Sequence, residues 1–478
     1  MDLMSDQPRK CPLCKNDRVE YEFRADEYRF YRCPECELLF DSSFPESEKD
    51  ANCNTLLGIH PNSLLPPGSR APSTVILARL RQHSVDPLRR IVVAGPHAAD
   101  LEELANGKSI AVIQAGVAGD TQGQVDACVL IETLGYSTHP LEQLSLAHAL
   151  MVSGGTLLLT LPTLDSPAAR IKKGFWKEFT AGRVAYFNTH NLSALLVRCG
   201  FCDILTWKDD DGIVLVCRKV KEPVIPRLPR LSIVLPVFNE QATCKELIDT
   251  VLAKNIEGAE REIVIVESNS TDGSREIVRA YEGHPGVRII YEERPRGKGY
   301  AVRNGLARAT GDVLLIQDAD LEYDIDDYDA LLEPLFSQQQ LFVLGSRHKG
   351  DWKMRKFEDR KWLSTVFNFG QVFFTWLINV ACGTRLKDPF TMYKVFHREC
   401  LYGLELEANR FDLDWEIVIK FIRKGFVPLE IPVNYISRSF SEGKKVRPLR
   451  DPILWVRALL KFRYGPLYSS DINEGHPQ

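Results

Sequence analysis

Short apolar runs separated by polar, helix-competent stretches recur along most of the chain. RRIVVAG (89–95), SIAVIQAG (109–116), DACVLIETL (126–134), GGTLLLTLP (154–162) and GIVLVCRKV (212–220) form one series. LSIVLPVFNE (231–240), REIVIVESNS (261–270), VRIIYEERP (287–295) and DVLLIQDAD (312–320) form a second. Brief runs dominated by Val, Ile and Leu suit strands covered on both faces, and each is followed by a helix-like stretch or a turn. The pattern predicts an α/β fold class in a multidomain chain, with one α/β domain over 75–219 and another over 231–465. EPVIPRLPR (222–230) is spaced by prolines and marks 220–230 as a linker. Residues 46–74, rich in Ser, Pro, Asn and Gly, read as another linker, 1–45 as a small cysteine-bearing unit and 466–478 as a tail. No internal repeat or low-complexity tract interrupts this layout.

One stretch departs from the strand pattern. Trp362 to Thr384 holds no charged residue and is long enough to cross a bilayer. Ser364, Asn368, Gln371, Thr375 and Asn379 recur within it at helical spacing and set a polar stripe on one side. Arg355, Lys356, Arg360 and Lys361 precede it and Arg385 and Lys387 follow. The stretch is therefore expected to lie in a membrane interface or against the protein's own core rather than to span.

Composition adds bounds. The chain has 478 residues, 44% hydrophobic and 26% charged, which suits two to four folded domains. A net charge of −4 offers no global attraction to nucleic acid, so none is expected as a partner. The start, MDLMSDQPRKCPLC, has no apolar core of a secretory leader. Most of the twelve cysteines are scattered through apolar stretches, as in a reducing, cytoplasmic compartment.

Four cysteines form two CxxC pairs, Cys11 with Cys14 and Cys33 with Cys36, eighteen residues apart. Two such knuckles can place four thiolates on one Zn²⁺. A unit of ~40 residues cannot bury enough apolar surface to fold unaided, so the expected zinc ribbon is structural.

In the first α/β domain, the order of DACVLIETL, a helix with a GG turn and GGTLLLTLP resembles the second half of class I S-adenosylmethionine methyltransferases. The resemblance covers about 75–219 and implies a Rossmann-like sheet. A cofactor site would need a glycine-rich turn after the first strand and an acid ending the second. Here Gly95-Pro96-His97 and Gln114 stand at those places. The domain is expected to be a degenerate, methyltransferase-like scaffold.

The second α/β domain carries four motifs in series: LPVFNE (235–240), VESNSTDGS (266–274), RPRGKGYAVRNGL (294–306) and QDADLEYD (317–324). VESNSTDGS holds Asn269 where a glycine would be usual, and Asn tolerates a left-handed turn. Glycines in GKG allow a close turn, while Arg294 and Lys298 can meet phosphates. Asp318 and Asp320, at a strand end, can hold a divalent ion.

Together the motifs resemble family 2 glycosyltransferases of GT-A fold, especially the dolichyl- and polyprenyl-phosphate sugar synthases, over about 235 residues. The resemblance implies a nucleotide-sugar donor with Pro236, Phe238, Glu240 and Glu267 near its base and ribose, and Arg294 and Lys298 near its phosphates. It implies Mg²⁺ or Mn²⁺ on Asp318, Asp320 and Glu322. Arg347 in VLGSR, Arg360 in EDRKWLS, and Arg438, Lys444 and Lys445 in ISRSFSEGKKV are implied contacts of an acceptor phosphate. The acceptor would be a polyprenyl phosphate or a glycan, met by a peripheral protein on the inner face of the cell membrane. A hydroxyl acceptor would need a base, with Asp414 or Glu416 of FDLDWE the candidates. The alternatives are a bifunctional methyltransferase–glycosyltransferase, a nucleic-acid module and a non-catalytic sugar-binding scaffold.

Overall fold

The structure, a computed structural model, describes residues 10–11, 13, 16–25, 28–41, 73–84, 87–95, 98–106, 110–114, 123–137, 139–179, 183, 185–220, 228–347, 361–436, 451–470 and 472. The chain divides into two compact units: Met1–Ile225 with Ser470–Gln478, and Pro226–Ser469. The break falls inside the proline-spaced stretch.

The first unit has strands β1 (Glu20–Ala25), β2 (Tyr28–Arg32), β3 (Leu39–Asp41), β4 (Arg90–Ala94), β5 (Ala111–Gln114), β6 (Val125–Ile131), β7 (Met151–Pro162), β8 (Ala185–Tyr186), β9 (Phe201–Lys208) and β10 (Gly212–Lys219). A sheet of order β5-β4-β6-β7-β10-β9 forms its centre. β5, β4, β6 and β7 are parallel, and β10 runs antiparallel to both β7 and β9. Val92, Val129, Leu158 and Leu215 are wholly buried along these strands, as near-continuous apolar runs require in a sheet covered on both faces. A smaller sheet of order β1-β2-β3-β8 joins the cysteine-bearing hairpin to Ala185–Tyr186 of the α/β part. Leu13, Leu38 and Phe40 share a core with Leu134, Ala185 and Phe187. Gly95, at the end of β4, has φ +110°, and a Cβ there would run into the Ile131 carbonyl. Its freedom thus serves close strand packing. Pro96 and His97 lie outside the described residues, as does the side chain of Gln114.

The second unit has strands β11 (Arg230–Val237), β12 (Glu260–Glu267), β13 (Val287–Tyr291), β14 (Val313–Ile316), β15 (Phe342–Ser346), β16 (Lys394–His397) and β17 (Leu429–Pro432). They pair in the order β13-β12-β11-β14-β16-β15-β17. β13, β12, β11 and β14 are parallel, β16 is antiparallel to β14 and β15, and β17 is parallel to β15. The carboxyl ends of β11, β12 and β14 therefore face one edge, where open α/β sheets bind ligands.

The charge-free stretch forms the helix Lys361–Cys382. At Gln371, Thr375 and Asn379 its polar stripe points inward. Gln371 and Thr375 are buried, the Gln371 amide donates to Asp388 Oδ1 (3.1 Å), and Asn379 bonds the Leu386 and Thr384 backbone and side chain. Its apolar residues Val372, Phe373, Trp376 and Val380 are exposed instead. Among the described residues no helix is long and apolar enough to cross a membrane.

His397, ending β16, caps the next turn: its Nδ1 accepts the Glu399 amide (3.3 Å), a role open only to the neutral ring. Burial, aided by Arg398 and opposed by Asp312, pushes its pKa down to about 4. The unfolded chain therefore takes up a proton below pH 6.5 that the folded chain refuses until about pH 4. Stability of the second unit is expected to fall across that window by at most about 3 kcal/mol. Chemical denaturation at stepped pH should show this component, and His397→Asn should flatten it. An unchanged slope in the variant contradicts the assignment.

Candidate active site

The exit of β14 is held before its carboxylates begin. The Gln317 amide donates to the Val234 carbonyl (3.0 Å), and its side chain both donates to the Asp318 carbonyl (3.0 Å) and accepts from the Tyr328 hydroxyl (2.9 Å). Thr243 donates to the Ala319 carbonyl (2.9 Å). Asp318 and Asp320 follow on this fixed turn, Asp320 accepting the Glu322 amide (3.2 Å). Lys298 Nζ lies 2.5 and 2.8 Å from the two Asp318 oxygens. Burial works against the Lys298 charge, but Asp318, Asp414 and Asp320 outweigh it and raise its pKa. An ammonium of the chain itself is thus seated on the Asp318 carboxylate. Glu322 Oε2 accepts from the Tyr435 hydroxyl (2.7 Å).

Lys298 is placed by a brace running through three segments. It opens the helix Lys298–Leu306 after Gly297, whose φ is +111°. A Cβ on Gly299 would lie 2.6 Å from the Arg410 carbonyl and 2.8 Å from that of Ala408. Only glycine lets the loop 408–410 approach so closely. That loop is bonded to the helix through Tyr300 N to Asn409 O (3.2 Å) and Arg303 to Asn409 Oδ1 (3.0 Å). Behind it stands Glu416, fully buried. It accepts the amides of Glu407 (2.9 and 3.0 Å) and Ala408 (2.8 Å) and the Lys420 ammonium (2.7 Å).

This corrects one expectation. Glu416 is shut away from any acceptor and saturated with donors, so it is a positioning residue and not a base. Asp414, two residues earlier, receives Lys394 Nζ on Oδ1 (2.9 Å) and acts on the charge of Lys298. Lys394 is wholly buried and also donates to the Thr391 carbonyl. Burial lowers its pKa, partly offset by Asp414. Sequence reasoning missed Lys394, although a single lysine in the otherwise apolar YKVF segment was a signal.

The remaining donor residues are divided. Pro236, Phe238 and Glu240 lie at or just beyond the end of β11, with the Glu240 amide on Ser274 Oγ (2.9 Å). Asn269 does adopt a left-handed conformation (φ +55°). Glu267 is fully buried, accepts the Ser270 amide (2.6 Å) and sits 3.5 Å from Arg275 Nε. Its carboxylate thus closes its own turn. Arg294 is exposed on the loop after β13.

On the acceptor side, Arg347 follows β15, and its guanidinium is bound by buried Asp388 through two parallel bonds of 2.8 Å. The pair raises the Arg347 pKa well above its usual value against the opposing effect of burial. The Arg347 fork therefore faces Asp388, a residue of LKDPFT that sequence reasoning left without a role. Arg360, Arg438, Lys444 and Lys445 lie outside the described residues.

In the first unit the sulfurs of Cys11, Cys33 and Cys36 lie within 4.8 Å of one another. The backbone turns that aim them are closed by Cys11 N to Asn16 O (2.8 Å) and Glu37 N to Cys33 O (2.9 Å). Cys14 lies outside the described residues.

Residues 232–399 match the family described as glycosyl transferase family 2. A dolichyl-phosphate beta-glucosyltransferase of Trichomonas vaginalis is 27% identical over 249 residues, 49% of this chain and 72% of its own. The dolichol-phosphate mannosyltransferase of Pyrococcus furiosus is 26% identical over 215 residues, 45% of this chain and 59% of its own. A solved glucosyl-3-phosphoglycerate synthase of Mycobacterium tuberculosis, in complex with uridine diphosphate, aligns at 22% identity and a TM-score of 0.37. That alignment covers 50% of this chain and 81% of the synthase. The chain carries a family 2 glycosyltransferase domain in a mixed α/β fold and is a glycosyltransferase.

Proposed function

We propose that this chain moves a sugar from a nucleotide-sugar donor to a polyprenyl phosphate, or alternatively a glycan, at the cytoplasmic face of a membrane. The observation that carries the reading is the Asp318–Asp320 turn at the carboxyl end of β14, with a cation already on Asp318. The strand order, with β16 reversed among parallel neighbours, supports a GT-A fold. Asp318 and Asp320, with Glu322 beside them, would hold Mg²⁺ or Mn²⁺. That ion supplies charge neutralisation for the departing nucleoside diphosphate. Lys298 lies where it can share in this neutralisation, and the Glu416 brace keeps it there. Pro236, Phe238 and Glu240 line the neighbouring strand end for the nucleoside.

A lipid phosphate is already ionised and needs no base. The relatives named as dolichyl-phosphate transferases favour such an acceptor, and Arg360, Arg438, Lys444 and Lys445 are its proposed contacts, Arg347 being bound by Asp388. For a hydroxyl acceptor Asp414, oriented by Lys394, is the base. The exposed face Phe373, Trp376 and Val380, with Leu460 and Tyr464 on the helix Asp451–Tyr464, supports docking at a membrane surface. Product made from UDP- or GDP-sugars and polyprenyl phosphate should partition into organic solvent. Transfer only to a water-soluble glycan defeats the lipid reading and makes Asp414 the required base.

The first unit is proposed to be a scaffold. Its strand order, with β10 reversed, supports a methyltransferase-like origin, while Gly95 is committed to packing against Ile131. Cys11, Cys33 and Cys36, joined by Cys14, suit a structural Zn²⁺, since three thiols converge in a small, largely antiparallel sheet. Elemental analysis is expected to find one zinc per chain. Cys33→Ser should lose it and destabilise the β1-β2-β3 hairpin. Zinc-free protein with an intact hairpin would exclude the site.

A further inference from the structure

The first unit presents a turn that neither sugar transfer nor the cysteine cluster explains. Residues 167–177, PAARIKKGFWK, contain four cations and no acid, although the whole chain carries a net charge of −4. They form the helix Pro167–Lys172 and the single turn Lys173–Phe175. Ile171 is 80% exposed and Phe175 94% exposed, the most exposed large apolar side chains among the described residues. Arg170, Lys172, Lys173 and Lys177 around them are exposed too.

The protrusion is held in place rather than loose. Trp176, next to Phe175, is buried, donates from Nε1 to Asp211 Oδ1 (3.2 Å) and meets Phe179 edge-on at 5.5 Å. The Trp176 amide donates to the Lys173 carbonyl (3.0 Å), closing the turn with Lys173 at φ +47°. A non-glycine residue occupies that region only when its surroundings insist on it. Gly174 faces the Phe23 ring, where a Cβ would come to 3.7 Å. The buried tryptophan thus fixes a rigid tip whose phenylalanine points into solvent.

We infer that this turn is a docking tip for an anionic bilayer surface, with Ile171 and Phe175 entering the interface and Arg170, Lys172 and Lys173 meeting lipid headgroups. An exposed apolar tip flanked by Arg170, Lys172 and Lys173 matches the two layers of such a surface, an acyl boundary beneath anionic headgroups, while Lys177 is taken by Asp211 (2.9 Å). Lysine stems can lie along the apolar layer while their ammonium groups stay in water. An acidic protein partner would account for the cations but not for two large apolar side chains on a projecting turn. The inference rests on the membrane reading above for its biological sense. It adds a contact made by the unit that has no part in sugar transfer.

The test is co-sedimentation of the full chain with phosphatidylglycerol-containing and pure phosphatidylcholine vesicles at low and high salt. Ile171→Ser with Phe175→Ser should weaken binding to the anionic vesicles by about tenfold or more. Lys172→Glu with Lys173→Glu should weaken it by at least about tenfold at low salt and much less at high salt. Transfer to a short, water-soluble prenyl phosphate should be unchanged in both variants, which also shows that they fold. Wild-type vesicle binding in both variants overturns the inference. So does unchanged vesicle binding with an altered oligomeric state, which assigns the tip to contacts between chains. Vesicle binding that follows these substitutions while no sugar transfer is found would sink the proposed activity and leave the docking tip standing.

Discussion

Replacing Asp320 with alanine is expected to cut sugar transfer by roughly three orders of magnitude or more while the second unit stays folded. Asp320 is 7% exposed and follows a strand exit held by Gln317, Tyr328 and Thr243, while its own carboxylate accepts the Glu322 amide (3.2 Å). Its removal therefore takes away charge at the donor diphosphate without removing what holds the strand exit. A divalent ion at such a site contributes several kcal/mol of charge stabilisation, and each 1.4 kcal/mol is tenfold in rate. Asp318 and Glu322 would remain, the one paired with Lys298 and the other bonded to the Tyr435 hydroxyl. Steady-state kinetics with Mg²⁺ and Mn²⁺, beside a thermal melt, check both halves. Full turnover in the variant, or wild-type turnover in excess chelator, rejects the metal mechanism.

Glu416→Ala should produce the largest loss of stability in the second unit, about 3–5 kcal/mol, because it takes the paired carboxylate from a buried ammonium and leaves it with the Glu405 carbonyl (2.5 Å). Lys420 is 4% exposed and gives Glu416 a bond of 2.7 Å, and the Glu407 and Ala408 amides would lose their acceptor as well. The loop they belong to presses on Gly297 and Gly299, so KM for the donor should rise with it. Glu416→Gln keeps one acceptor oxygen and should cost less on both counts. Asp414→Asn keeps an acceptor oxygen for buried Lys394 but removes its charge partner, so it too should cost stability, and with a hydroxyl acceptor it should lower kcat by about a hundredfold or more. If Glu416→Gln proves inactive but as stable as the wild type, Glu416 is catalytic and the brace is wrong.

These two residues also mark how far the sequence could be read. Strand-like runs, the proline-spaced break and the order of the four motifs placed LPVFNE, VESNSTDGS and QDADLEYD at neighbouring strand ends. Residue type and local spacing suffice for that, because burial on both faces and turn chemistry leave a direct trace in composition. Asn269 at φ +55° is such a local property. The direction of a side chain is not. Asp414 and Glu416 are both acids in the first turn of one helix. Two positions along a helix turn a side chain by about 200°, so one meets Lys298 and Lys394 and the other the back of the 407–408 loop.

Arg347 likewise looks like a free cation in VLGSR until Asp388, forty-one residues later, takes its guanidinium. The stripe from Ser364 to Asn379 showed that its helix has two faces but not which one is buried. That choice belongs to Asp388 and the Leu386 backbone, whose polar groups need Gln371 and Asn379 as partners. Phe373 and Trp376 are consequently turned outward. The sequence by itself determined which elements form and which residues stand at their ends, since those follow from local backbone and burial preferences. Only the tertiary structure decided which charged groups are spent on one another and which face the site, because a buried charge is satisfied by partners that folding brings from distant parts of the chain.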